Sequence, residues 1–227
     1  MKLKIPENLT QQAYRSIRDS IIWGKIDNRE HLTEEFFASR FGISKSPIRE
    51  ALNRLESEGL ITIIPRRGAF VRDFSIQDVE EIFELREALE PLVIRNLTLN
   101  SKLVAQLQKC VRAATNYRKE NNKINYIRED AAFHSILAQA SNNMRLKKIL
   151  ENMHNQMLIL RSRTFELTSH SSIQQHLAVL NALSKRQVET AEQMMAEHIR
   201  TVRARLLEQL TRQNKQSLST GSLGQEA

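Results

Sequence analysis

The sequence predicts a mainly α-helical chain in two parts. An N-terminal part has tight corners and a small β-hairpin, and the rest is an antiparallel all-α bundle. Three observations predict this. The first is where the backbone breakers fall. Of 227 residues only 6 are Gly and 4 are Pro, and between Gly68 and Gly221 there is no glycine and one proline, Pro91. An all-β domain needs many tight turns, and a phosphate-cradling loop needs glycine, so both are excluded from that stretch. The second is apolar spacing at helical period along most of the chain. The third is a reversal of charge. Residues 40–72 hold 7 basic and 3 acidic groups, whereas residues 73–90 hold 7 acidic groups and the single base Arg86. The reversal sets a boundary near Asp73–Ser75. It divides residues 1–73 from a helical 74–213, with a Ser/Gly/Gln-rich tail over 214–227 that composition reads as disordered.

The length allows one or two domains, each with its own core. No apolar run approaches the length of a membrane span, and Met1 to Pro6 lacks the apolar core of a signal peptide. The single cysteine, Cys110, cannot form an internal disulfide and is most simply a small core residue. A cytoplasmic location is therefore expected. Net charge is +8, from 34 basic and 26 acidic residues. That balance favours a polyanionic partner, although the excess is spread over both parts.

The first helix runs from Gln11 to Trp23, with Ala13, Tyr14, Ile17, Ile21 and Ile22 inward and Gly24 as its stop. Thr33 caps a second helix whose first turn carries Glu34 and Glu35, and Gly42 ends it in a left-handed conformation. Ser46 is expected to cap a third helix with Pro47 at its first position. Ile48, Ala51, Leu52 and Leu55 form its apolar stripe. Lys45, Ser46, Arg49 and Asn53 lie off that stripe, and Gly59 stops it. Two helices joined through a glycine turn make a helix-turn-helix. The β-branched run Leu60 to Ile64, the turn Pro65-Arg66-Arg67-Gly68 and the strand Ala69 to Val71 then make a basic hairpin, or wing. Arg66 and Arg67 at its tip suit phosphate or the minor groove. Taken alone, Lys45 and Arg49 read as a solvated basic face. A basic wing at the right spacing, beside the N-terminus of a capped helix, favours DNA instead.

The bundle begins at Ser75, with Asp78 three residues on as the acidic member of a capping box, and Pro91 is expected to kink this helix. Further helices are predicted from Ser101 to about Glu120, Ile124 to Ala140, about Asn143 to Glu166, Ser172 to Leu183 and Gln187 to about Gln213. Asp130 and His134 stand four apart on one helical face. His176 and His198 lie on successive helices, and a reversal at Ser184-Lys185-Arg186 would bring them together. One carboxylate and three neutral imidazoles suit Zn²⁺, Ni²⁺, Mn²⁺ or Fe²⁺, with water or an organic acid completing the shell. Six histidines offer many chance combinations, so independent core or surface histidines stay an open alternative. His154 and His170 read as solvated or core-edge residues.

The run from Gly42 to Leu52, then Leu55-Glu56, Glu58-Gly59-Leu60 and Pro65 to Val71, resembles the winged helix-turn-helix of GntR-family transcription regulators. The resemblance implies that Ser44, Lys45, Ser46 and Arg49 read double-stranded operator DNA, with Arg66, Arg67 and Gly68 in the wing. Lys45 stands where the family usually has Arg, which removes a bidentate guanine fork. Asn28-Arg29 replaces the usual Pro-Gly before the second helix.

Asp130 to His134, Gln175-His176 and Glu197-His198-Ile199 are similar to the FCD-type effector domain of the FadR subfamily. That likeness implies that Asp130, His134, His176 and His198 hold one divalent metal, Zn²⁺ first among the candidates. Leu85 to Pro91 resembles the family's opening helix, whose Arg faces the effector pocket, so Arg86 is the expected effector-binding residue. A solvated salt bridge is the other reading of Arg86. Gln175 stands where Glu is common, which weakens the support expected behind His176. The implied protein is a homodimeric, non-enzymatic repressor that answers to a small carboxylate. Its rivals are a metal-dependent hydrolase or lyase and a DNA-binding protein with a purely structural metal.

Overall fold

The computed structural model describes residues 8–26, 31–65 and 67–221. Arg66 and the Asn28-Arg29 turn lie outside the described residues. In chain order the elements are α1 (Leu9–Ile22), α2 (Glu34–Phe41), α3 (Lys45–Ser57), β1 (Ile61–Ile64), β2 (Gly68–Val71), α4 (Ile76–Arg95), α5 (Ser101–Lys119), α6 (Lys123–Ala140), α7 (Met144–Ser184) and α8 (Val188–Gly221). Two compact units result. One holds Met1–Asp73 with Asn152–Ser162, and the other holds Phe74–Glu151 with Arg163–Ala227.

In the first unit α3 is the centre, packing against α1, α2 and β1. Its stripe of Ile48, Ala51, Leu52 and Leu55 is buried, together with Ile17, Ile21 and Leu60 from its neighbours. Each buried Ile or Leu contributes roughly 1.5–3 kcal/mol by leaving water. Thr33 caps α2 by accepting from the Phe36 amide at 3.0 Å, and Gly42 closes it at φ 66°, both as the residue types require. One expectation fails at α3. The helix starts two residues early, with Ser44 at the cap and Lys45 first. Pro47 is then the third helical residue, where its missing N–H still has no intrahelical acceptor to lose. β1 pairs antiparallel with β2, Ile61 opposite Val71 and Ile64 opposite Gly68. Leu32 joins the wing through its own amide to the Ala69 carbonyl at 2.8 Å.

In the second unit α4 packs on α8 and α6, and α5 on α6. The capping box forms. The Asp78 amide donates to Ser75 Oγ at 3.1 Å and the Ser75 amide to Asp78 Oδ2 at 2.9 Å. α4 continues through Pro91 to Arg95. Asparagines cap the next three helices: Asn100, Asn122 and Asn143. The two helices expected over 143–166 and 172–183 are one helix of 41 residues. Between them lie Thr168, Ser169 and Ser171, whose hydroxyls can compete for the backbone. Here two of them bond backward instead, Thr168 to the Thr164 carbonyl and Ser171 to the Thr168 carbonyl, each at 3.0 Å, so the helix persists. The reversal falls where expected: α7 ends at Ser184, Arg186 takes φ 58°, and α8 begins at Val188. α8 runs to Gly221, past the Gln213 at which composition ended it, because no Gly or Pro interrupts it sooner. Residues 222–227 lie outside the described set.

Candidate functional site

Two sites emerge, one in each unit. In the first unit, the buried stripe of α3 turns Lys45, Ser46, Arg49 and Asn53 outward, and all four are exposed. Ser44 makes no side-chain cap bond, so its hydroxyl is not spent on the helix it precedes. The helix N-terminus adds backbone N–H groups and a partial positive charge. Arg49 is gripped by Glu34 through two bonds, Nε to Oε1 and Nη2 to Oε2, both 2.7 Å. Lys45 Nζ lies 2.9 Å from Glu35 Oε2. The Arg49 hydrogen bond holds the Glu34 carboxyl below the usual range. Sequence reasoning treated these acids only as first-turn helix stabilisers. Glu34 and Glu35 are also the present partners of the two basic residues that the sequence assigns to DNA.

Arg67 is exposed at the wing tip, and its amide closes the turn on the Ile64 carbonyl at 2.9 Å. Gly68 sits at φ 87°, and any Cβ there would collide with the His31 ring. His31 in turn stacks on Phe70 with centroids 5.3 Å apart. So Gly68 is required twice, by backbone conformation and by close approach. A groove lined by His31, Thr33, Glu34, Arg49, Asn53 and Gly68 runs beside α3. Arg66, assigned with Arg67 to the wing, is outside the described residues.

In the second unit, α6, α7 and α8 deliver His134, His176 and His198 to one point. One ligand-capable nitrogen from each lies within 4.8 Å of the other two, and all three residues are at most 3% exposed. His176 Nε2 and His198 Nε2 stand 3.3 Å apart. Two imidazole nitrogens bound to one tetrahedral Zn²⁺ at about 2.0–2.1 Å would stand about 3.3–3.4 Å apart, so the spacing fits. The proton on His198 can be placed by following a chain of bonds. The Thr201 hydroxyl donates to the Glu197 carbonyl at 2.8 Å and accepts from Gln175 Nε2 at 3.0 Å. That turns Gln175 Oε1 toward His198 Nδ1, at 3.0 Å, so Nδ1 must donate. His198 Nε2 is left with its lone pair aimed at His176. Gln175 therefore supports His198, and not His176 as its neighbourhood in sequence suggested.

Burial, then electrostatic interaction with His176, His134 and Arg86, pushes the His198 pKa well below its usual value, with Glu90 opposing. A neutral imidazole is the form that binds a metal. Phe133 stacks on His176 at 4.1 Å and 11°, walling the group with an apolar ring. Asp130 is buried beside His176, with Oδ1 3.8 Å from its Nδ1, but it is not a member of the group of three.

Arg86 is only 1% exposed, which removes the solvated reading. It forms a buried ion pair, Nε to Glu90 Oε1 at 2.6 Å, and lies over the Phe83 ring at 5.0 Å. Its Nη2 has no hydrogen-bond partner among the described residues. The other Glu90 oxygen lies 2.5 Å from His134 Nδ1. Sequence reasoning passed over Glu90, whose only signal was its place four residues after Arg86 on an acidic helix.

The described helices include none long and apolar enough to cross a membrane. The profile of the FCD domain matches residues 81–201, and that of bacterial regulatory proteins of the gntR family matches residues 9–71. Among relatives, the HTH-type transcriptional regulator YdhC of Bacillus subtilis is 28% identical over 87% of this chain and 90% of its own length. The HTH-type transcriptional repressor RspR of Escherichia coli is 27% identical over 88% of this chain and 90% of its own. A putative GntR transcriptional regulator from Rhodococcus shares the fold, with a TM-score of 0.77 at 20% identity over 88% of this chain and 97% of that one. This chain belongs to the GntR family of bacterial regulatory proteins, a DNA-binding transcriptional regulator whose second part is an FCD domain.

Proposed function

We propose that this regulator is a ligand-responsive repressor of the FadR subfamily, working in the cytoplasm as a homodimer. Two copies of α3 would read a pseudo-palindromic operator in successive major grooves, with Ser44, Lys45, Ser46 and Arg49 on bases and phosphates and Arg66, Arg67 and Gly68 at the wing. His134, His176 and His198 would hold one divalent ion, Zn²⁺ before Ni²⁺, Mn²⁺ or Fe²⁺, with Asp130 turning in from beside His176. When bound, the ion supplies a Lewis-acid seat for an anionic oxygen. A small carboxylate effector is the ligand whose charge suits both the ion and Arg86 Nη2. Its differential affinity for one dimer geometry would shift operator binding. The observation that carries this reading is the convergence of three buried histidines from three helices. Several relatives being named repressors supports the sign, the gluconate operon transcriptional repressor of Bacillus licheniformis among them.

Thermal denaturation against a panel of divalent metals and small organic acids tests it. The expected result is a further rise in melting temperature from one class of acid, only when metal is present. A second reading, a purely structural metal, draws on the near-complete burial of all three histidines. It predicts loss of folding on chelation and no response to any acid. Metal-dependent turnover of the acid would instead favour an enzyme.

A further inference from the structure

Glu90 is 4% exposed, and its two carboxylate oxygens face two different partners, Arg86 Nε at 2.6 Å and His134 Nδ1 at 2.5 Å. We propose that Glu90 is the positioning residue of the metal centre: it fixes the tautomer and the plane of His134 so that Nε2 is the atom turned to His176 and His198. This inference rests on the metal reading given above.

The chemistry is restrictive. An ionised carboxylate has no hydrogen to give, so the proton in the Glu90–His134 contact belongs to Nδ1. A neutral imidazole with its hydrogen on Nδ1 carries its lone pair on Nε2. The His134 and His198 rings lie stacked at 5.4 Å, and His134 meets His176 edge-on at 5.0 Å. His198 is held by the same device with a weaker acceptor, the neutral amide oxygen of Gln175. The group therefore has one imidazole backed by a carboxylate and one backed by an amide. Carboxylate backing raises ligand basicity as well as fixing direction. Arg86 donates to the other oxygen and holds the carboxyl group in its direction, so the residue assigned to the effector also braces the residue that aims a metal ligand.

The test is a Zn²⁺ and Co²⁺ titration, against a competing chelator, of full-length wild type, Glu90→Gln and the double variant Glu90→Gln with Arg86→Gln. The double variant leaves no buried charge without its counterion, so it stays folded where Glu90→Gln alone could fail. Circular dichroism and melting of the metal-free forms accompany the titration, and ¹⁵N shifts report the His134 tautomer in the metal-free wild type. The expected result is an Nδ1–H tautomer in wild type and a metal affinity lower by about 10–100-fold in both variants. The double variant keeps wild-type helicity. Wild-type affinity in the folded double variant, or an Nε2–H tautomer in wild type, overturns the inference. A wild-type chain that takes up neither metal removes the metal reading and this inference with it, which distinguishes the two failures.

Discussion

Arg49–Glu34 and Arg86–Glu90 are the same chemical pair placed in opposite surroundings. The Arg49 side chain is 62% exposed and its partner 31%, whereas the Arg86 and Glu90 side chains are 1% and 5% exposed. Water competes for every bond of the first pair, so a phosphate or a guanine edge can replace Glu34 at little cost. No water competes inside the bundle, where removing one partner strands a buried charge. The difference teaches where each unit keeps its function. The DNA-facing unit holds its cations exchangeable on a surface. The FCD unit holds its charges fixed around a point, and there Arg86 Nη2 is buried with no hydrogen-bond partner among the described residues.

The sharpest way to break the contrast is to delete one acid from each pair. Glu90→Ala is expected to lower the unfolding free energy by about 3–5 kcal/mol, read by urea denaturation. Glu34→Ala is expected to lower it by less than about 1 kcal/mol. Equal losses would erase the distinction.

Lowering pH from 8 to 5, above the carboxylate range, comes next in size and acts on the buried side. The folded pKa of His198 is depressed, so the unfolded chain binds the extra proton. Stability is therefore full above the unfolded value near pH 6.5. It falls as pH drops below it, by about 1.4 kcal/mol per pH unit for one such group. Denaturation of the metal-free protein between pH 8 and 5 checks the sign. His198→Gln should flatten part of the slope.

Smaller in energy, and confined to the surface side, are the DNA variants. Arg49→Ala should weaken specific operator binding by about ten- to a hundredfold without changing the melting temperature. Lys45→Ala should weaken all DNA alike and reduce the salt slope by about one. Gel shifts at several salt concentrations read both.

The same contrast explains what was legible in the sequence. Thr33, Gly42 and the Ser75–Asp78 box were readable because caps are local chemistry. The stripe Ile48, Ala51, Leu52, Leu55 and the reversal at Lys185-Arg186 were readable because periodicity and its interruption are local too. The three histidines were marked out by residue type, and resemblance weighted them. What stayed hidden depends on tertiary partners. The acids beside Arg86 in sequence left a solvated salt bridge open as its other reading, whereas it packs over Phe83 and against Glu90. Gln175 looked like support for the residue beside it, but on a helix adjacent side chains diverge by about 100°, and it reaches across to His198. The unbroken α7 was hidden because hydroxyl-rich segments can bond either way.

The most direct test is a gel shift of a pseudo-palindromic operator with the zinc-loaded protein. Wild type and His176→Ala are compared, each with and without the small carboxylate selected by thermal shift. The expected result is a tenfold or greater change in the protein concentration for half-binding in wild type, and none in His176→Ala, which still binds operator. An identical response in both proteins, or none in wild type, would contradict a regulator that senses its ligand at the three-histidine centre.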